Sequence, residues 1–268
     1  MNLSAQPGQV YLAGAGPGDA SLLTLRALRL LETADVILPD DLVSNEILNL
    51  AHADAEIIPV GKRCGQPRIT QAGIHALMLE AARAGKSVLR LKSGDPLIFG
   101  RAGEEIAALR EAGIPFEIVP GITTAFAAAA KLQTPLTDRS AASKLIFATA
   151  HHAAGKPELT PKWQGAFPED ATLVIYMPGR DFRALADDLV SSGIAPETPC
   201  VAISKATTPD EQVFASTLSQ IENCDVGPAP VILLVGQAIK VAHAKQIACE
   251  PSFHQHFEEE AVEELVRL

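Results

Sequence analysis

The sequence is short of the features that mark several common classes of protein. No apolar run approaches the roughly 18 residues that a membrane span needs. The opening stretch MNLSAQPGQV has neither a basic n-region nor an apolar core, so it does not read as a secretory leader. Together these predict a soluble, cytoplasmic protein with no membrane partner. Basic residues are in the minority, 22 Lys and Arg against 32 Asp and Glu, for a formal net charge of -10. That argues against a nucleic-acid partner, because phosphate neutralisation draws on a surplus of Lys and Arg. The four cysteines, Cys64, Cys200, Cys224 and Cys249, form no CxxC pair. They read as reduced packing residues rather than a zinc site, and His151 and His152 read as loop residues, so no metal is expected. No repeat of solenoid period is present.

What is present is a chain of 268 residues, 47% of them hydrophobic, enough for one large or two ordinary domains. QVYLAGAG, ADVILPD, SVLRLKSG and FEIVPG have the length and composition of buried strands. Between them SLLTLRALRLLETA, VSNEILNLA, TQAGIHALMLEAARAG and GEEIAALREAG carry helical apolar spacing. This βαβα order predicts a largely parallel sheet covered on both faces. After PLTDRSAAS a second α/β set begins, with KLIFATA, ATLVIYMPG, FRALADDLVSSG, TPCVAISKA and APVILLVGQAI, interrupted by a Pro- and Gly-rich loop near residues 151–170. The expected division is an N-terminal α/β domain over 1–138, a C-terminal α/β domain over 139–243, and an appended tail over 244–268. From Glu250 onward the tail carries six Glu against one Arg.

Several strand ends carry unusual residues. GAGPGD, Gly14 to Asp19, tempts a dinucleotide-fingerprint reading, but the third glycine position falls on Asp19 and Pro17 removes a backbone donor where phosphate would want one. A purely structural turn and a ligand turn then stand level, with Asp19 capping a helix that begins near Ser21. ADVILPDDLVS ends a strand in two acids. Asp41 or Ser44 serves to cap the next helix, which leaves Asp40 for chemistry. VGKRCGQPR places Lys62, Arg63 and Arg68 in one loop after a strand-like run, a candidate anion pocket. KSGDPLIFGR and PGITTAFAAAA add small-residue turns after further strands. Three such turns at one sheet edge describe a pocket.

Taken in order, GAGPGDxxLLTLxAxxxL, ADVIxxDxLVS, VGKR, KxGDPxxFGR, PGIT, PLTxR and LVIYM resemble the uroporphyrinogen-III C-methyltransferases, within the tetrapyrrole methyltransferases of sirohaem and cobalamin synthesis. The resemblance covers roughly residues 9–240. It implies two α/β domains with a trough between them holding S-adenosylmethionine, released as S-adenosylhomocysteine, and a homodimer. The implied cofactor contacts are Pro17, Ser93, Gly94, Asp95, Ile98, Thr123, Thr124, Met177 and a backbone position near Ala206. Asp40 matches the family's proposed proton acceptor and Lys62 its proposed donor. Arg63, Arg68, Arg101, Arg139 and Lys144 are candidates to meet the carboxylates of the tetrapyrrole. The implied reaction is two successive methylations of uroporphyrinogen III to precorrin-2. The alternatives are a methyltransferase for a later precorrin and a non-catalytic homologue that only binds tetrapyrrole or cofactor.

The sequence also departs from the family pattern. Pro39 stands where relatives carry Tyr, Ser93 where they carry Gly, and Asp138 where they carry His; YMG becomes YMPG, and a later motif glycine becomes Ala206. Asp138 is expected to face the trough and repel a carboxylated substrate.

Overall fold

A computed structural model describes residues 4–61, 69–150 and 167–240. The first sheet contains β1 (Val10–Gly14), β2 (Val36–Pro39), β3 (Glu56–Ile57), β4 (Val88–Lys92) and β5 (Phe116–Val119) in the order β3-β2-β4-β1-β5. All its pairings are parallel. The central strands are apolar on both faces because both faces are covered. Tyr11, Ala13, Ile37, Leu89 and Leu91 meet α1 (Leu25–Leu31) and α2 (Asn45–Leu48), while Val10, Leu12, Val36, Leu38 and Val88 meet α3 (Gln71–Arg83) and α4 (Ala102–Glu111).

The second sheet contains β6 (Lys144–Thr149), β7 (Ala171–Tyr176), β8 (Pro199–Ser204), β9 (Gln212–Thr217) and β10 (Val231–Val235) in the order β6-β7-β10-β8-β9. Only β6 and β7 are parallel; β10 runs opposite to β7 and β8, and β9 opposite to β8. The architecture is therefore mixed α/β, as expected. One face packs on α6 (Phe182–Ser191) through Phe182, Ala186 and Leu189. The other face packs on α5 (Thr124–Lys131) through Ala125, Ala128 and Ala129 against Val174, Val201, Ile203, Ile232 and Leu234. Thus α5 follows the first sheet in sequence but buries its small-residue face on the second. The switch between sheets falls between Val119 and Lys144.

Some local expectations are corrected. Asp19 does cap, but it caps a short 3₁₀ turn over Ala20–Leu22; the helix proper starts at Leu25, where Thr24 accepts from the Ala27 N–H. The second helix is a single turn capped by Ser44. β9 has no counterpart among the expected strands. Cys200 is a buried free thiol, whose pKa burial pushes up to about 12. Cys224 is disulfide-bonded, against the expectation of a reduced thiol, because sequence spacing does not report which sulfurs the fold brings together. Among the described residues no helix is long and apolar enough to cross a membrane.

Candidate functional site

In a parallel sheet every strand delivers its C-terminal residue to the same edge, so the loops after β1, β2, β4 and β5 are brought together there. Backbone contact between them is unusually close. Gly16 and Gly94 exchange hydrogen bonds, N to O 3.2 Å one way and 2.7 Å the other. A Cβ on Gly14 would stand 2.4 Å from the Gly94 carbonyl oxygen, and one on Gly121 would stand 2.2 Å from the same atom. Only hydrogen fits at either position. The positive φ in the KSGDP turn is taken by Gly94, at 67°, and Ser93 does not need it, which is why Ser is accommodated there.

Asp95 staples this edge. Its Oδ1 accepts from the Leu97 N–H at 2.8 Å and its Oδ2 from the Gly121 N–H at 3.0 Å, tying the β4 loop to the β5 loop. Ile98 closes the same turn by donating its N–H to the Asp95 carbonyl. Both carboxylate oxygens are thus already engaged, each keeping further lone-pair capacity toward an incoming donor.

Contacts between the loops of the first sheet and the end of the second include the following two. Thr123 Oγ1, just before α5, is 2.6 Å from the hydroxyl of Tyr176 at the end of β7. Burial, the largest influence, pushes the Tyr176 phenol above its ordinary pKa, so it remains a neutral hydrogen-bonding group. Gly18 of the first loop lies against Ala206 to Thr208 after β8, where an added Cβ would sit 3.2 Å from Thr207 Oγ1. Thr207 Oγ1 is buried with no hydrogen-bond partner among the described residues. Because β7 and β8 both run opposite to β10, Met177 and Ala206 leave the second sheet at one edge, facing these loops. Phe99, Arg101, Met177, Lys205 and Thr207 all hold positive φ without being glycine. Backbone strain of that kind persists where the surroundings enforce it, and such places cluster at binding sites.

The structure therefore brings Pro17, Ser93, Gly94, Asp95, Ile98, Thr123, Thr124, Met177 and Ala206 to one locus. Asp40 follows β2 at the same edge, its N–H bonded to the Leu91 carbonyl at 2.9 Å. Gly61 packs against Asp41, to within 2.3 Å of Oδ1 for an added Cβ, which explains the glycine of VGKR. Lys62, Arg63 and Arg68 lie outside the described residues, as do His151, His152, Cys64, Cys249 and the acidic tail. Arg101 sits at the start of α4 and pairs with Glu104 at 2.8 Å.

Two expectations are not met. Lys144 begins β6 beside Ala171 at the start of β7, the length of a strand, about 20 Å, from Met177. Its ammonium is engaged by Asp170. Arg139 is exposed in the turn before β6, and the neighbouring Asp138 turns its carboxylate onto Ser140, which holds that group below the usual carboxylate range. Asp138 is spent on its own turn rather than on the trough.

Sequence reasoning missed a buried ionic group beneath the site. Arg90 and Lys92 share one face of β4 with Val88, and that face lies under α4. Arg90 Nε donates to Glu105 at 2.9 Å, its second nitrogen donates to the Leu38 carbonyl at 2.9 Å, and its third pairs with Asp40. Lys92 Nζ lies 3.2 Å from Glu105 Oε1 and 3.0 Å from Oε2, the latter contact ionic rather than a directed hydrogen bond. Burial is the largest influence on both cations. It pulls Lys92 below its ordinary pKa, whereas for Arg90 the pull is outweighed by Asp40 and Glu105, so its pKa rises. The available signal was two cations inside a strand covered on both faces, where unpaired charge is not tolerated.

Comparison with known proteins gives a consistent picture. A family model described as tetrapyrrole (corrin/porphyrin) methylases matches residues 9–222. A siroheme synthase of Acinetobacter baylyi is 44% identical over 246 residues, covering 91% of this chain and 53% of the relative. Siroheme synthase 1 of Klebsiella pneumoniae is 43% identical over 238 residues, covering 88% of this chain and 50% of the relative. The chain thus spans about half the length of the curated relatives it matches. Among solved structures, a uroporphyrin-III C-methyl transferase from Thermus thermophilus complexed with S-adenyl homocysteine is 37% identical at a TM-score of 0.73, covering 87% of this chain and 94% of that one. A cobalt precorrin-4 methyltransferase is 29% identical at a TM-score of 0.75, with 87% and 96% covered. A diphthine synthase at 16% identity and a TM-score of 0.57 shares the fold alone.

Proposed function

The chain belongs to the tetrapyrrole methylase family, and from that premise we propose that it transfers methyl groups from S-adenosylmethionine to carbon atoms of uroporphyrinogen III, forming precorrin-2 on the way to sirohaem or cobalamin. The observation that carries this reading is the convergence of the four strand-end loops on a glycine-walled edge with Asp40 beside it. Gly14 and Gly121 let the strand-end loops pack backbone to backbone and so build that edge, and what fits the cofactor there is Thr207 Oγ1, a buried polar atom with no hydrogen-bond partner among the described residues, lying against Gly18. Pro17, Ser93, Gly94, Asp95, Ile98, Thr123, Thr124, Met177 and the backbone at Ala206 would hold it. When bound, the cofactor's sulfonium supplies an electrophilic methyl group.

The chain's own residues then supply alignment and proton handling. In-line displacement gains much of its rate from holding the reacting atoms in place, which rigid strand-end loops do well. Methylating a substituted pyrrole carbon makes it quaternary and leaves the ring system one positive charge to shed as a proton from another ring position, and Asp40, partly exposed at the sheet edge, is the proposed acceptor. Lys62 is the proposed donor, and Arg63, Arg68 and Arg101 the proposed partners of substrate carboxylates. By the same resemblance the working form is a homodimer, which analytical ultracentrifugation checks.

The test is anaerobic incubation of the protein with S-adenosylmethionine and uroporphyrinogen III, followed by mass spectrometry of the tetrapyrrole. Gain of one or two methyl masses supports the reading. No gain on uroporphyrinogen III, with gain on precorrin-2 or a later precorrin, transfers the assignment to a later step, a reading favoured by the likeness to the precorrin-4 enzyme. Bound cofactor with no gain on any tetrapyrrole leaves a binding protein.

A further inference from the structure

The buried group of Asp40, Arg90, Glu105 and Lys92 contains two cations and two anions, and three of its members are closed to solvent. Side-chain exposure is 3% for Arg90, 3% for Lys92 and 0% for Glu105, against 32% for Asp40. Such a group is a poor device for stability, since apolar residues of similar size commonly serve a core as well or better. Its geometry is instead directional. The Arg90 guanidinium is fixed by Glu105 from α4, by the Leu38 carbonyl of β2 and by Asp40, so the one member that solvent reaches is held by a plane that cannot rotate. Glu105 is fixed in turn by Lys92, and Gln71 of α3 adds a contact to its Oε1 at 3.4 Å. Lys92 also supports the loop above: a Cβ on Gly100 would meet its Cε at 3.1 Å.

We propose that Arg90, locked by Glu105, is a positioning residue that orients the Asp40 carboxylate for proton acceptance during methyl transfer. This rests on the functional reading above. Asp40 Oδ1 is engaged by Arg90, while the side chain stays partly open to solvent after β2, at the sheet edge where the strand-end loops meet. Lysine at position 90 keeps the charge but cannot serve Glu105, the Leu38 carbonyl and Asp40 with one planar fork.

The experiment is a double-mutant cycle on the full chain with Asp40→Asn, Arg90→Lys and the pair, measuring kcat and KM for uroporphyrinogen III, or for precorrin-2 if only that is methylated, and the Kd of S-adenosylhomocysteine. Asp40→Asn is expected to lower kcat by about 100-fold or more. Arg90→Lys should lower kcat by roughly 10-fold with KM and Kd within about twofold, and the pair should be no slower than Asp40→Asn alone, because residues acting as a unit are not additive. Losses that multiply, or a fall in binding equal to the fall in kcat, overturn the proposal. If Arg90→Lys does not fold, Arg90→Gln with Glu105→Gln removes one charge of each sign and takes its place in the cycle with the same expectation. A wild-type chain that methylates no tetrapyrrole refutes the underlying reading and takes this proposal with it, whereas active wild type with multiplying losses refutes this proposal alone.

Discussion

Gly121 carries a hydrogen where any other residue would place a carbon 2.2 Å from the Gly94 carbonyl oxygen and 2.8 Å from Gly14 Cα. Those are backbone atoms of paired strand ends, which have no rotamer with which to yield. Gly121→Ala is therefore expected to destabilise the protein by about 1–3 kcal/mol, the usual range for overpacking, and to weaken S-adenosylhomocysteine binding, both read by thermal melts with and without ligand. Ser87 offers a second test. Its hydroxyl, at 2.7 Å, and its N–H, at 2.8 Å, hold the Asp35 carboxyl below its ordinary pKa of 3.8. A carboxyl with a depressed folded pKa contributes stability that is present above the unfolded value and lost as pH falls through the folded one. Ser87→Ala should cost about 1 kcal/mol or less at pH 7, because the group is exposed and solvent-screened, and the difference from wild type should shrink as pH drops below about 4. Cys200, its thiol pushed up to about 12 by burial, should resist alkylation at pH 8 in the native protein and react once denatured, as peptide mass spectrometry would show.

At the scale of elements, the join between the sheets is carried by few groups. Tyr176 ends β7, packs its ring against Phe99 and Phe147 at centroid distances of 5.0 and 5.8 Å, and holds Thr123 by its hydroxyl. Tyr176→Phe keeps the ring contacts and removes the hydrogen bond, leaving the Thr123 hydroxyl, in a residue only 4% exposed, without that partner. The expected cost is about 1 kcal/mol, with S-adenosylhomocysteine affinity lowered because the α5 start is no longer held to β7; calorimetry measures both. Most elements were legible in the sequence. The runs VYLAG, VILP, VLRLK and FEIV read as strands because covered parallel strands are continuously apolar, and the αα spacing of α3 and α4 is plain. β9 was not legible, since QVFAST has polar residues at its ends and only a short apolar stretch. The late start of α1 was missed because a 3₁₀ turn and an α-helix share their first capping residue types.

At the scale of the molecule, the site exists because both sheets present strand C-termini toward each other, β1, β2, β4 and β5 from one and β7 and β8 from the other. Asp40→Asn should leave S-adenosylhomocysteine binding intact while removing turnover, since Asp40 sits after β2 and the glycine-walled edge is built by the other loops; isothermal titration beside the methylation assay separates the two effects. The same arrangement places Lys144 out of reach: a strand that ends at the site begins a strand's length away from it.

The sequence by itself determined the alternation of elements, the small-residue turns that follow the strands, and Asp40 at a strand end, because these follow from local periodicity, backbone conformation and short-range capping. The tertiary structure alone decided that α5 covers the second sheet, that Asp138 folds back onto Ser140, and that Arg90 reaches Asp40 while Glu105 and Lys92 close the group from beneath. The physical reason is separation along the chain. A hydrogen bond between β4 and the end of β2 joins residues 50 positions apart, and no local pattern at either one specifies the other.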